Sequence, residues 1–229
     1  MISSVTKIID KIGEIFTVFD FSYVVSGVAS FSIICYGLWK NDLLGSLGGT
    51  SLNVIAAIIF TYLWGLLSFT IGKAVRTKVI DYELKKCCWI IYWPQKRQET
   101  RFMTDFKGTV EYVNKDAAVL MNYDNESDCK MYYTEMWTYL RECEDAVATM
   151  AFIDKYWVMQ AVYEGLIASS LVGLVVGIIL SFSNLYFINL IIIVCSAIAC
   201  FFCCYEGTRY AEVQIKEVVI AYKYFKLKE

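Results

Sequence analysis

Three stretches of the chain carry no charged side chain, and they set its architecture. Phe21 to Trp39 is 19 residues long, Leu43 to Gly72 is 30, and Gly165 to Tyr205 is 41. A charge at mid-bilayer costs about 2.5 to 3.5 kcal/mol on insertion scales, and roughly 20 apolar residues span the hydrocarbon as a helix. The first two stretches therefore hold one span each. The third is too long for one, and Ser181, Phe182, Ser183 and Asn184 near its middle have the composition of a tight turn, so it reads as a helical hairpin. The pattern predicts an all-α membrane protein of four transmembrane helices, at 21–39, 51–72, 161–180 and 185–205, with a helical cytoplasmic insertion between helices 2 and 3.

The polar segments repeat at a helical period as well. In residues 1–20, Ile2, Val5, Ile8, Ile9, Ile12, Ile15, Phe16 and Phe19 share a face apart from Lys7, Asp10, Lys11 and Glu14, as in an interfacial amphipathic helix or one that docks on a partner. A transmembrane hairpin, 21–72, follows. Residues 73–160 hold only Gly108 as an interior glycine, so long helices are expected, with the cluster Asp124 to Asp128 capping one of them. No glycine or proline falls between Met131 and Gly165, and one helix, straight or with a bend, is expected to run into the third span. The second hairpin, 161–205, passes into a C-terminal helix, 206–229, with a Glu212–Lys216 pair and a stripe of Val218, Tyr222 and Phe225.

Orientation follows from the basic residues. The two short connections, Lys40 to Thr50 and Ser181 to Asn184, contain only Lys40; the other 20 of the 21 lysines and arginines lie in the remaining polar segments. By the positive-inside rule those segments are cytoplasmic, and an even number of spans puts both termini there too. The expected location is the bacterial inner membrane. The first apolar run follows an amphipathic stretch and has no small-residue cleavage pattern after it, so it is expected to remain a span and not a removed signal.

Composition narrows the function. Hydrophobic residues make up 58% of the chain, above the share usual in soluble domains, which assigns the surplus to lipid. The absence of histidine removes the commonest general base and metal ligand. No catalytic motif, cofactor or metal site is expected, and the protein is read as non-enzymatic. A net charge of −2 gives no field for nucleic acid, so none is expected to bind. The nine cysteines read as reduced thiols acting as small hydrophobes; Cys200, Cys203 and Cys204 have metal-like spacing but no second pair.

Three constellations are candidates for function. Gly165, Ser169, Gly173 and Gly177 line one face of the third helix, and Ser22, Ser26 and Ser30 repeat the spacing on the first; such faces admit close approach, either to the fourth helix within the chain or across a homo-oligomer seam. Lys73, Arg76, Glu164, Glu206 and Arg209 form a ring of charges at the inner surface, explained by anchoring and ion pairing or by a switch centred on Glu164. Finally, Lys73 to Lys115 contains ten basic and five acidic residues and Asp116 to Gln160 three and nine, so the halves attract. The basic half suits anionic lipid; Lys85, Lys86, Lys96, Arg97 and Arg101, with Trp89, Tyr92 and Trp93 for stacking, also suit a nucleotide or other phosphorylated signal.

The layout resembles four-span membrane proteins encoded in bacterial anti-phage loci, including those of Kiwa-type systems. The likeness lies in the short first hairpin, Tyr62, Gly65 and Gly72 in the second helix, the helical insert, the tyrosine-rich Tyr132 to Tyr139 stretch, and Arg209 and Tyr210 leading into a long tail. It implies an oligomeric sensor or effector of membrane integrity that answers to a soluble partner or a nucleotide signal. A constitutive scaffold for a soluble protein and a small nonspecific channel are the alternatives.

Overall fold

The computed structural model describes residues 18–40, 51–77, 101–113, 125–183 and 187–228, and among these there are helices and no strand. Six α-helices follow in order: α1 (Val18–Lys40), α2 (Ser51–Val75), α3 (Arg101–Val113), α4 (Glu126–Glu142), α5 (Val147–Ser183) and α6 (Phe187–Lys226), with a short 3-10 turn at Glu144–Ala146. The protein is an all-α membrane protein. Four helices, α1, α2, α5 and α6, are long and apolar enough to cross a membrane, their most apolar stretches having mean hydropathies of 1.4, 1.9, 2.3 and 2.7. At 1.5 Å per residue the 40 residues of α6 reach about 60 Å, twice the hydrocarbon thickness of ~30 Å, so much of that helix serves a different medium.

The chain divides into two units, one of Met1–Thr77 with Ala161–Gly207 and one of Lys78–Gln160 with Thr208–Glu229. In the first, Gly27 meets Thr61 and Gly65 meets Tyr23, so α1 and α2 run antiparallel. Gly165 meets Ser26 and Gly37 meets Val176, so α1 and α5 run parallel; Gly173 meets Ser196 and Gly177 meets Ile193, which makes α6 antiparallel to α5. Large side chains point the other way. Ile55, Ile58, Ile59 and Leu63 of α2 and Ile191, Val194, Ile198 and Phe201 of α6 are exposed, as a lipid-facing surface requires.

In the second unit, amphipathic α3 buries Met103, Phe106 and Val110 at helical spacing and leaves Tyr112 outside. They join Cys129, Met136 and Leu140 of α4, Ile153 of α5 and Val218 and Val219 of α6 in one apolar core. Aromatic rings close it: Phe102 and Phe106 both meet Tyr133 edge-on at 5.5 and 6.0 Å, and Tyr139 meets Tyr222 at 5.2 Å. Asn125 caps α4, its side-chain oxygen accepting from the Asp128 amide at 2.9 Å. At the far end of α3, Lys223 donates to the carbonyl of Val113, satisfying a group the helix itself leaves unpaired.

Two boundaries differ from expectation. The single helix from Met131 into the third span is broken at Cys143, whose backbone is extended at φ −78, ψ 110 and whose amide still bonds to the Tyr139 carbonyl; the 3-10 turn that restarts the helix opens on Glu144 and Asp145, acids suited to a helix start. The expected turn at Ser181 to Asn184 begins later, because α5 continues to Ser183. The Ser181 hydroxyl bonds back to the Gly177 carbonyl at 2.8 Å, and a serine so occupied is compatible with helix. The amphipathic stretch before Val18 lies outside the described residues.

Candidate functional site: a glycine and serine seam around a buried ion pair

The small residues of α5 are filled from within the chain, by α1 as well as by the fourth helix. A methyl group placed on Gly165 would lie 2.5 Å from the Ser26 Cβ, and one on Gly173 would lie 2.3 Å from the Ser196 hydroxyl. At Gly177 it would stand 2.8 Å from the Ile193 side chain. The first half of this face therefore belongs to α1 and the second to α6. Ser22, Ser26, Ser30 and Ser169 are all buried, and Ser30 donates to Ser169 while Ser169 donates to the Ser26 carbonyl, each at 2.9 Å.

A second set of contacts was not legible as a seam. Methyl groups on Gly27, Gly65 and Gly72 would fall 2.0, 1.9 and 1.6 Å from the backbone oxygens of Thr61, Tyr23 and Glu164. These are backbone approaches that no residue with a Cβ permits. The signal available in sequence was the seven-residue interval from Gly65 to Gly72, two helical turns that place both on one face. The other glycine of α1, Gly37, lies ten residues from Gly27, a spacing that puts the two on no common face.

Within this seam the charges sort into two kinds. Arg76 and Glu164 are brought together: the arginine Nε and Nη2 both donate to Oε1 of the glutamate, at 2.8 and 2.7 Å. Their side chains are 9% and 1% exposed, so the pair is desolvated, and only close geometry offsets that cost. Gly72, one turn earlier on α2, lets that helix approach the Glu164 backbone, and Arg76 itself lies in a π-helical turn, Arg76–Thr77. The Cδ of Arg76 is 3.5 Å from where a Gly207 methyl would stand. Glu206 is buried beside that glycine. Lys73 stays exposed with its ammonium 5.9 Å from the Phe69 ring, and Arg209 is exposed over Tyr210 at 5.2 Å. The inner-surface charges thus include one buried ion pair, Arg76 with Glu164.

The remaining candidates give less. Lys85, Lys86, Trp89, Tyr92, Trp93, Lys96 and Arg97 lie outside the described residues, and of Arg101 only its place at the start of α3 is described. Cys200 and Cys204 share a hydrogen bond one turn apart on α6, with Cys203 buried between them. Among the described residues no group of three or more potential ligands could hold a metal. The described residues form at least two surface depressions. One follows a face of α4 lined by Met131, Glu135, Thr138 and Glu142, and the other is an apolar groove of about 170 Å³ between Gly37 and Leu38 of α1 and Val176 and Ile179 of α5. Neither gathers the converging polar groups of a reaction site. Compared with protein-family models, with curated proteins and with solved structures, the chain matches none.

Proposed function

We propose that the protein is a non-enzymatic sensor or effector of the bacterial inner membrane that acts in anti-phage defence, with its termini and its polar insertion on the cytoplasmic side. The observation that carries the sensor part is the sharing of helices: α5 and α6 each contribute to both units without a break, so a load applied to the polar stretch of either is transmitted along one backbone ladder. The resemblance to four-span proteins of anti-phage loci supplies the setting, and the K/R bias supplies the orientation. A soluble partner or a nucleotide signal would be the trigger. Self-association would use the lipid-facing sides of α2 and α6, because the α5 seam is already occupied.

Expression with its neighbouring genes in a phage-sensitive bacterium tests this. Fewer plaques and a fall in membrane potential confined to infected cells are expected; full plaquing with a steady potential would end the proposal. A constitutive scaffold is the second reading, favoured by the exposed α4 face of Met131, Thr134, Glu135 and Thr138 on which a soluble protein could sit. Function would then survive exchange of the spans for an unrelated four-helix anchor. A channel inside one chain is disfavoured by backbone contacts at Gly27, Gly65 and Gly72 too close to leave a conduit.

A further inference from the structure

We propose that Cys200 and Cys204 of α6 form a two-coordinate site for a monovalent thiophilic metal ion, of the class of Cu(I) and Ag(I). The two thiols stand one turn apart in an uninterrupted helix and share a hydrogen bond, so both sulfurs already turn toward one point. Both are free and partly exposed, whereas Cys203 is 5% exposed. An ion can reach the first two without parting the helices.

Helix geometry decides what can join them. Side chains four residues apart on a regular helix have Cβ atoms about 5 to 6 Å apart, and a disulfide needs about 3.5 to 4.5 Å. A direct S–S bond would distort α6, but an atom placed between the two sulfurs fits the helix as it stands. The number of ligands then decides which atom. Structural zinc sites and iron–sulfur clusters draw on four protein ligands, and among the described residues no group of three or more could hold a metal. A closed-shell monovalent ion is satisfied by two thiolates in line, and soft thiolate is the ligand type that selects copper(I). The lack of a second cysteine pair, which rules out zinc, is no obstacle to it. Such a complex carries one negative charge, and the Arg76 guanidinium lies within electrostatic reach of the Cys204 sulfur to offset it. On binding, two S–H bonds break and two S–metal bonds form; both protons pass to solvent and no electron is transferred.

The test is a Cu(I) titration of the full, reduced chain in lipid nanodiscs against a chromophoric Cu(I) chelator. The other seven of the nine cysteines are common to all the chains compared, so the difference between them isolates the pair. Cys200→Ser, Cys204→Ser and the double variant Cys200→Ser/Cys204→Ser should each lose the same single equivalent, and Cys203→Ser should match wild type. Undiminished uptake in any of the first three would overturn the proposal, as would loss of the equivalent in Cys203→Ser. A second measurement uses wild type alone and so needs no variant to fold. Ag(I) should shield Cys200 and Cys204 together from N-ethylmaleimide, read by peptide mass spectrometry, and Zn(II) should shield neither. Labelling at the same rate with and without Ag(I), or equal shielding by Zn(II), would sink the idea. Neither measurement involves phage, so failure here leaves the defence role to its own experiment.

Discussion

Ser30 of α1 donates its hydroxyl to Ser169 of α5 across 2.9 Å of buried, apolar surroundings. Hydrogen bonds between membrane helices average only about 0.6 kcal/mol, because the separated helices also find partners. The contact therefore matters more for the room it occupies than for the bond. Ser169→Ala should cost less than about 1 kcal/mol, whereas Ser169→Leu, which drives a branched side chain into Ser26 and Ser30, should cost several times more. Reversible unfolding in mixed micelles separates the two; equal losses would mean that the bond and not the space is what counts.

Gly72 and Gly108 offer a matched pair. Alanine at Gly72 would put a methyl 1.6 Å from a backbone oxygen, so α2 and α5 must part, at a cost of about 1 to 3 kcal/mol or more. Alanine at Gly108 meets nothing within 4 Å inside a regular helix and should stabilise α3 by about 0.8 to 1 kcal/mol. Opposite shifts in melting temperature are expected from the same chemical change.

Lys223→Met keeps the aliphatic stem and removes the charge that satisfies the Val113 carbonyl. A cation at a helix C-terminus contributes about 0.3 to 1 kcal/mol. Amide hydrogen exchange in the last turn of α3 should quicken by a corresponding few-fold, while α1 and α2 stay as they were. Exchange unaltered at Glu111 to Val113 would remove Lys223 from the list of caps.

Burial raises the Tyr133 hydroxyl from 10.0 to about 12, only partly offset by its hydrogen bond with Trp137. The folded state holds this proton more tightly than the unfolded one, so the associated stability is complete below pH 10 and is lost as pH rises from there through about 12. Tyr133→Phe should flatten that alkaline decline. Tyrosinate absorbance should show one phenol ionising only as the second unit opens.

The four spans were readable because a charge in hydrocarbon is so costly that its absence over 19 residues or more leaves few alternatives. The Asn125 cap was readable for a similar reason, since the acids and amides of residues 124 to 128 compete with helix everywhere except at its start. Cys143 was not, as cysteine carries no strong backbone preference and the break there is set by tertiary packing on either side. The seam was half readable. A run of small residues says that something approaches closely, but not which helix, and the α5 face turned out to be divided between α1 and α6. Arg76 and Glu164 are 88 positions apart, and among five charges at similar depth the sequence offers no means of choosing that pair.

The α1–α2 hairpin carries its own fastenings, Gly27 on Thr61 and Gly65 on Tyr23, and neither involves any residue beyond Thr77. During synthesis those two helices can pair while the remainder is still on the ribosome, presenting Ser26, Ser30 and Gly72 as a ready-made slot for a helix made later. Assembly is thereby ordered in time by where side chains are missing. A ribosome-arrested chain ending soon after Thr77 should already protect the hairpin from protease, and the late arrival of α5 is then the step at which a damaged slot would expose the fault.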